Sequence, residues 1–178
     1  MFAGSPDGWL PGGAFTLLLG LACVTDLRTR RIPNVLVSFI AFVGLVIVLV
    51  AAPSFHTLAR FAGGVLAGLA IWLPFWILGW LGAGDVKLFA AAGGWLGAGL
   101  ALKAAVVAAI AGGVLSIAWL VWLRGFGAAT RSVALATMHP RTVTEGGTGG
   151  GDRKRQLPYG VAMAIGLVVV WWFPSLLY

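Results

Sequence analysis

The sequence predicts an all-α membrane protein, a bundle of about six transmembrane helices that forms a single domain over residues 1–178. The chain is 60% hydrophobic and only 10% charged, whereas soluble domains carry about 25% charged residues. Its apolar residues form runs long enough to span hydrocarbon, for which a helix needs roughly 20 residues. The alternating pattern of a membrane β-barrel is absent. A polytopic helical bundle is therefore the expected fold.

The positive net charge is expected to report membrane topology. The chain carries a formal charge of +7, and cytoplasmic loops of membrane proteins collect Lys and Arg. The Trp residues lie among aliphatic residues, and basic runs suited to a nucleic-acid groove are missing. The expected surroundings are thus a lipid bilayer, with no nucleic-acid partner.

Proline, glycine and charged residues divide the chain into spans. Pro33 disfavours helix in the residue before it and separates the first two spans. Pro74 predicts a kink inside the third span. Gly82–Gly84 is expected to interrupt the helix before Asp85, and the small residues of the fourth span permit close helix approach. The predicted spans cover residues 12–25, 35–52, 61–81, 86–99, 103–123 and 159–178.

The long polar segment 124–158 is predicted to be a cytoplasmic loop. Its run Gly146–Gly151, with Thr148 inside it, has the composition of a flexible linker. A phosphate-binding loop is excluded, because no Lys-Ser/Thr pair follows the glycines. In the last span, Trp171 and Trp172 are expected to be interface anchors, and aromatic side chains in general are expected to face lipid or the interface.

The distribution of basic residues gives an independent test of topology. If the segment after the first span is cytoplasmic, 10 of the 12 basic residues lie on the cytoplasmic side. This bias satisfies the positive-inside rule. It places both chain termini outside and both Asp26 and Asp85 at the cytoplasmic face. The ten residues are Arg28, Arg30, Arg31, Lys87, Arg124, Arg131, Arg141, Arg153, Lys154 and Arg155, and the other two are Arg60 and Lys103.

Two of the five acids abut long apolar runs, namely Asp26 and Asp85. Two carboxylates close together can share one proton, because they cannot both ionise easily. The ionised carboxylate then activates a water and the protonated one donates to the scissile carbonyl, which is general acid–base hydrolysis. The glycines before Asp85 are expected to leave helix geometry, so that an open backbone edge can pair with an unwound substrate. The other three acids, Asp7, Glu145 and Asp152, are expected to be solvated.

A purely structural interpretation of the two acids stays open on these grounds. Asp26 would then be a helix-end acid paired with Arg28 or Arg30. Asp85 would be the N-cap of the fourth helix. The separation of 59 residues between the two acids does not decide the matter, since only the fold can bring them together.

Three sequence segments resemble the type IV prepilin peptidases, a family of polytopic aspartic proteases. GAGDVKL, residues 82–88, looks like the GxGD motif of that family. Asp26 precedes a basic stretch and an Ile-Pro-Asn, and LPYG, residues 157–160, opens the last span. The segments follow the family's order over the whole chain. The matching positions besides the two acids are Gly82, Gly84, Lys87, Pro33, Asn34, Pro158, Tyr159 and Gly160.

The resemblance implies that Asp26 and Asp85 are the catalytic pair of an aspartic endopeptidase. The implied substrate is a prepilin or pseudopilin, whose short basic leader is removed at the cytoplasmic face of the inner membrane, without a cofactor. Lys87 is expected to have one of two roles. It either binds a substrate carboxylate or keeps the aspartates in position, or it is only one of the positive charges that set the membrane topology.

The sequence also departs from the larger members of that family. Those members carry paired zinc-binding cysteines together with an N-methyltransferase activity. This chain has one cysteine, Cys23, in a span. The N-methyltransferase activity is therefore expected to be absent. The chain looks like the short peptidase-only form that serves tight-adherence pili, and the archaeal preflagellin peptidases are similar in motif.

The other reactive residues are expected to have structural roles. Cys23 is predicted to be a small buried side chain, and Ser116 to bond its own helix backbone. His56 and His139 are predicted in loops without ligand partners, so no metal site is expected.

Two other functions compete with the peptidase. A non-enzymatic transporter subunit, or a scaffold for pilus or secretion assembly, would place polar groups near the bilayer midplane, where these spans show almost none. An intramembrane protease of the presenilin type would place Asp26 deep in a span, whereas Asp26 precedes a basic turn at the membrane edge.

Overall fold

A computed structural model of the chain describes residues 9–29, 32–124 and 159–177. These ranges form α-helices and one short 3-10 helix, and they contain no strand, so the all-α prediction is confirmed. The predicted loop 124–158 lies, from residue 125 onward, outside the described residues. The helices are α1 (Trp9–Thr29), α2 (Asn34–Ala51), α3 (Phe55–Ile77), α4 (Ala83–Leu96), α5 (Ala98–Arg124) and α6 (Tyr159–Trp172), followed by the 3-10 helix Pro174–Leu177.

Four of these helices, α1, α2, α3 and α5, are long and apolar enough to cross a membrane. Helices α4 and α6 are apolar but contain only 14 residues each. Length and composition therefore indicate a membrane protein built from helices of unequal length.

Four helices begin at least three residues earlier than the sequence predicted. Helix α1 begins at Trp9, α3 at Phe55, α4 at Ala83 and α5 at Ala98. The start of α3 has a clear cause, since the side chain of Ser54 accepts a hydrogen bond from the backbone N–H of Thr57 at 3.2 Å. Such a cap satisfies one of the free N–H groups of the first turn. His56 consequently lies in a helix, and the prediction that placed it in a loop was wrong.

The break between α3 and α4 covers residues 78–82, so it includes Gly79 and Gly82 but not Gly84. Gly79 has a φ of +76°, a left-handed conformation that favours glycine. Gly82 is the extended residue before α4, and Gly84 and Asp85 lie within its first turn. The expected open backbone edge at Gly82–Gly84 was therefore wrong, because Gly84 is helical.

Helix α4 lies at the centre of the bundle. It packs against α2, α3, α5 and α6, and its residues from Leu88 to Leu96 are all buried. Asp85, in the first turn of this helix, is therefore positioned by a helix that packs against several neighbours at once.

Small residues allow the backbones to approach α4 closely, as the sequence predicted for its Ala- and Gly-rich segment. A Cβ built on Gly64 of α3 would overlap the carbonyl oxygen of Gly93. One built on Gly68 would lie 2.9 Å from Cα of Ala90. The absence of a side chain at Gly44 of α2 likewise leaves space for the indole of Trp95. Without a hydrophobic driving force in lipid, such close packing is a main source of helix association.

The end of the bundle where α4 finishes contains a buried aromatic cluster of Phe15, Trp95 and Trp171. The Phe15 ring lies 5.2 Å from Trp95 and 4.9 Å from Trp171, between ring centroids. The indole N–H of Trp95 donates to the carbonyl of Ile40 at 3.0 Å. Trp171 is 2% exposed. The prediction of an interface anchor was thus wrong for Trp171, and that of lipid-facing aromatics was wrong for all three residues.

The neighbouring glycines Gly63 and Gly64 provide a test of the α3–α4 contact. We expect Gly64→Ala to lower the thermal unfolding midpoint in detergent by roughly 2–10 °C, because overpacking costs about 1–3 kcal/mol. We expect Gly63→Ala to leave the midpoint unchanged, since the nearest atom to its new Cβ lies 3.8 Å away. Equal midpoints for the two variants, measured by tryptophan fluorescence, would contradict the packing described.

Candidate active site

Asp26 lies on the buried face of α1, near its end. The buried residues Phe15, Leu19 and Ala22 precede it at helical spacings of four and three, and Asp26 continues the same stripe. Its side chain is 7% exposed, whereas Arg28 on the same turn is exposed. The other arginine weighed as its partner, Arg30, lies outside the described residues. Asp26 is thus directed into the bundle, which does not favour the structural interpretation of a surface acid.

Asp85 lies in the first turn of α4, where Gly82 is the N-cap. The backbone of Gly82 makes a hydrogen bond to the Asp85 carboxylate. A carboxylate three residues after the N-cap commonly accepts from the N-cap N–H, and the positive end of the helix dipole stabilises it. The alternative that made Asp85 the N-cap itself was therefore wrong.

Gly160, in the first turn of α6, lies against both carboxylates. A Cβ built on Gly160 would lie 2.9 Å from Oδ2 of Asp26 and 3.4 Å from Oδ1 of Asp85. These two oxygens are therefore no more than 6.3 Å apart, the sum of the two distances. Acids 59 residues apart in sequence are brought together beside a glycine of a third helix.

The segment Ile32-Pro33-Asn34 covers the start of α4. Ile32 is buried, and its Cβ would lie 3.4 Å from a Cβ built on Gly84. Pro33 is the extended N-cap of α2. The ammonium of Lys87 donates to Oδ1 of Asn34 at 3.4 Å. Lys87 and Asn34 thus join the turn that carries Asp85 to the segment that follows Asp26.

The first turn of α6 has two further contacts that the sequence did not predict. The hydroxyls of Tyr159 and Ser116 lie 3.3 Å apart. Ser116 also donates to the carbonyl of Gly112 at 2.7 Å, which confirms the predicted bond to its own helix. The Cys23 thiol lies 3.8 Å from the carbonyl oxygen of Gly160. Cys23 is only half-buried, although the sequence predicted a buried side chain. Its position three residues before Asp26 was the one feature of the sequence that indicated a place near the acids.

The described part of the chain contains no group of three or more His, Cys, Asp or Glu side chains that could hold a metal ion. Two residues named from the sequence, Pro158 and His139, lie outside the described residues. The arrangement that remains is a pair of carboxylates, and such a pair can share and exchange a proton.

Comparisons with known proteins identify a family and two similar proteins. Residues 13–117 match the model of the type IV leader peptidase family. A prepilin leader peptidase/N-methyltransferase from Pectobacterium carotovorum subsp. carotovorum is 36% identical over 124 residues, 62% of this chain and 44% of that protein. One of the same name from Dickeya chrysanthemi is 32% identical over 125 residues, 62% of this chain and 43% of that protein. The chain thus spans less than half the length of these two relatives. No solved structure matches.

Substitution of Gly84 tests the packing of Ile32 on α4. We expect Gly84→Ala to keep the wild-type thermal midpoint, because its Cβ would make an ordinary contact 3.4 Å from Ile32. We expect Gly84→Leu to displace the buried Ile32 and to destabilise the fold by about 1–3 kcal/mol. Melting curves in detergent distinguish the two, and a Leu variant as stable as wild type would contradict the contact.

Proposed function

Because the chain belongs to the type IV leader peptidase family, we propose that it is a membrane aspartic endopeptidase that removes the short basic leader from prepilins or pseudopilins. The observation that carries this proposal is the approach of the Asp26 and Asp85 carboxylates to one another beside Gly160. Aspartic hydrolysis needs two carboxyl groups that can act on one water and one carbonyl. The names of the two relatives support a prepilin as the substrate class.

The proposed chemistry divides the two roles between the carboxyl groups. One carboxylate takes a proton from a water, whose oxygen attacks the scissile carbonyl carbon. The other, protonated carboxyl donates its proton to the carbonyl oxygen. Collapse of the tetrahedral intermediate breaks the C–N bond, and the leaving nitrogen receives a proton from the pair. No covalent intermediate with the protein forms, and the required water is consumed.

The proposed location is the cytoplasmic face of the inner membrane, in a protein that crosses it several times. Four helices can cross a membrane, and the excess of basic residues lies on the side of Asp26 and Asp85 in the predicted topology. Asp26 near the end of α1 and Asp85 at the start of α4 lie at one end of the bundle. Cleavage there would take place where a basic leader meets the apolar helix of its substrate.

We propose peptidase activity alone, without N-methylation of the new N-terminus. Within these 178 residues the only cysteine is Cys23, and paired cysteines accompany the methyltransferase in the larger proteins that the sequence resembles. Mass spectrometry of the cleaved pilin would test this, since an added methyl group on its N-terminus would contradict it.

The first experiment compares cleavage of a co-expressed prepilin by the wild-type chain and by Asp26→Asn and Asp85→Asn. We expect each substitution to reduce cleavage at least about 100-fold, because each removes one partner in general acid–base catalysis. The measurement is the mobility shift of the pilin on a gel. Glu145→Gln is the matched control, since it neutralises an acid predicted to be solvated.

Equal insertion of all four proteins, checked by immunoblot of the membrane fraction, makes the comparison valid. Full cleavage by either aspartate variant would remove that residue from the mechanism. A structural role would then be the better account of that residue, which for Asp85 is the hydrogen bond to the backbone of Gly82.

A second prediction concerns the glycine between the carboxylates. We expect Gly160→Ala to lower kcat by about 10- to 100-fold, because small displacements of catalytic groups are costly. The added methyl would lie 2.9 Å from Oδ2 of Asp26, closer than a Cβ normally comes, so the carboxylate must shift. Gly20→Ala on α1 is the control, since nothing lies within 4 Å of its new Cβ. Wild-type kcat in Gly160→Ala would contradict the geometry described.

A further inference from the structure

We infer that the hydroxyl pair of Ser116 and Tyr159 is a positioning device, which sets the first turn of α6 against the two carboxylates. The pair bridges α5 and α6, and Tyr159 directly precedes Gly160. The catalytic consequence rests on the proposed function, whereas the structural consequence can be measured without it. Ser116 and Tyr159 are therefore positioning residues in this proposal.

The direction of the hydrogen bonds makes the bridge specific. Ser116 donates its hydroxyl proton to the carbonyl of Gly112 at 2.7 Å, so its oxygen is left to accept from Tyr159. The Tyr159 ring also lies beside Gly112, where a built Cβ would be 3.6 Å from Cε1. The ring thus lies along α5 beside Gly112 and brings its hydroxyl to Ser116. Two features of α5 fix one side chain of α6.

The same turn also contacts α1. The carbonyl of Gly160 receives the Cys23 thiol at 3.8 Å, and Cys23 lies one turn before Asp26. A rotation of the first turn of α6 would therefore change both the contact with Cys23 and the contact with the carboxylates. The bridge at Tyr159 opposes that rotation from the α5 side.

Cys23 offers a native probe of this turn, because it is the only cysteine of the chain. The experiment measures the rate of Cys23 alkylation by N-ethylmaleimide in detergent-solubilised protein, by mass spectrometry. The variants are Tyr159→Phe, Ser116→Ala and the double variant. Thr16→Val is the matched control, since its hydroxyl accepts from the Trp172 indole at 3.2 Å and so joins α1 to α6 at the end of the bundle away from the carboxylates.

We expect each single variant to be alkylated about fivefold faster than wild type, which is the population shift that loss of one hydrogen bond produces. The double variant should be no faster than either single variant, because both remove the same bond. Thr16→Val should match wild type. Wild-type rates in both single variants, or multiplied effects in the double variant, would overturn the inference.

Peptidase kinetics on a purified prepilin provide the second readout. We expect Tyr159→Phe to lower kcat about fivefold at unchanged KM, because substrate contacts remain while the carboxylates lose their alignment. An unchanged kcat with faster alkylation would overturn the catalytic part of the inference. If Asp26→Asn and Asp85→Asn cleave normally, the proposed function fails instead, and the alkylation result still decides whether the bridge positions α6.

Discussion

Backbone contact between α3 and α4 is the constraint on which the rest of the structure depends. Gly64 meets Gly93, and Gly68 meets Ala90, at distances that no larger side chain allows. In lipid, burial of apolar surface does not favour one helix pair over another, so shape decides which faces meet. Once α3 lies on this face of α4, the remaining faces are left for α2, α5 and α6. The rotation of α4 about its axis is then set, and with it the direction of Asp85.

Three helices contribute residues both to the candidate site at one end of the bundle and to the aromatic cluster at the other. Helices α1, α4 and α6 carry Asp26, Asp85 and Gly160 at one end, and Phe15, Trp95 and Trp171 at the other. The aromatic end is closed by ring contacts and by the hydrogen bond from Trp95 to Ile40. Paired hydrogen bonds in an apolar interior favour one arrangement, because their loss leaves buried polar groups unsatisfied. The aromatic cluster therefore favours one arrangement of α1, α4 and α6, the helices that carry the two carboxylates and Gly160.

Sequence alone predicted the fold class, and it drew attention to Asp26 and Asp85 because charged residues are conspicuous in an apolar chain. Asp26 even follows the helical spacing of Phe15, Leu19 and Ala22, which was a signal of its burial. The sequence could not predict that Trp95 and Trp171 are buried. In a membrane helix both the lipid face and the buried face are apolar, so periodicity does not separate them.

Contacts between residues that are far apart in sequence could not be predicted either. The bridge between Ser116 and Tyr159 depends on how α5 and α6 are rotated, and nothing local in either segment records that rotation. The prediction that Gly84 leaves the helix was wrong for another reason, because a glycine is also compatible with regular helix. Gly79 alone adopts a left-handed φ in that stretch. Gly84 instead provides room for Ile32 within regular helix.

The length of α4 has a consequence for the surrounding lipid. Its 14 residues span about 21 Å at 1.5 Å per residue, whereas the hydrocarbon core of a bilayer is about 30 Å thick. Neighbours such as the 23-residue α3 are long enough to reach both surfaces. A bilayer around these helices must therefore either leave one end of α4 recessed between its longer neighbours or become thinner beside it. Acyl-chain length is then a variable that acts on α4, the helix that carries Asp85, more than on its longer neighbours.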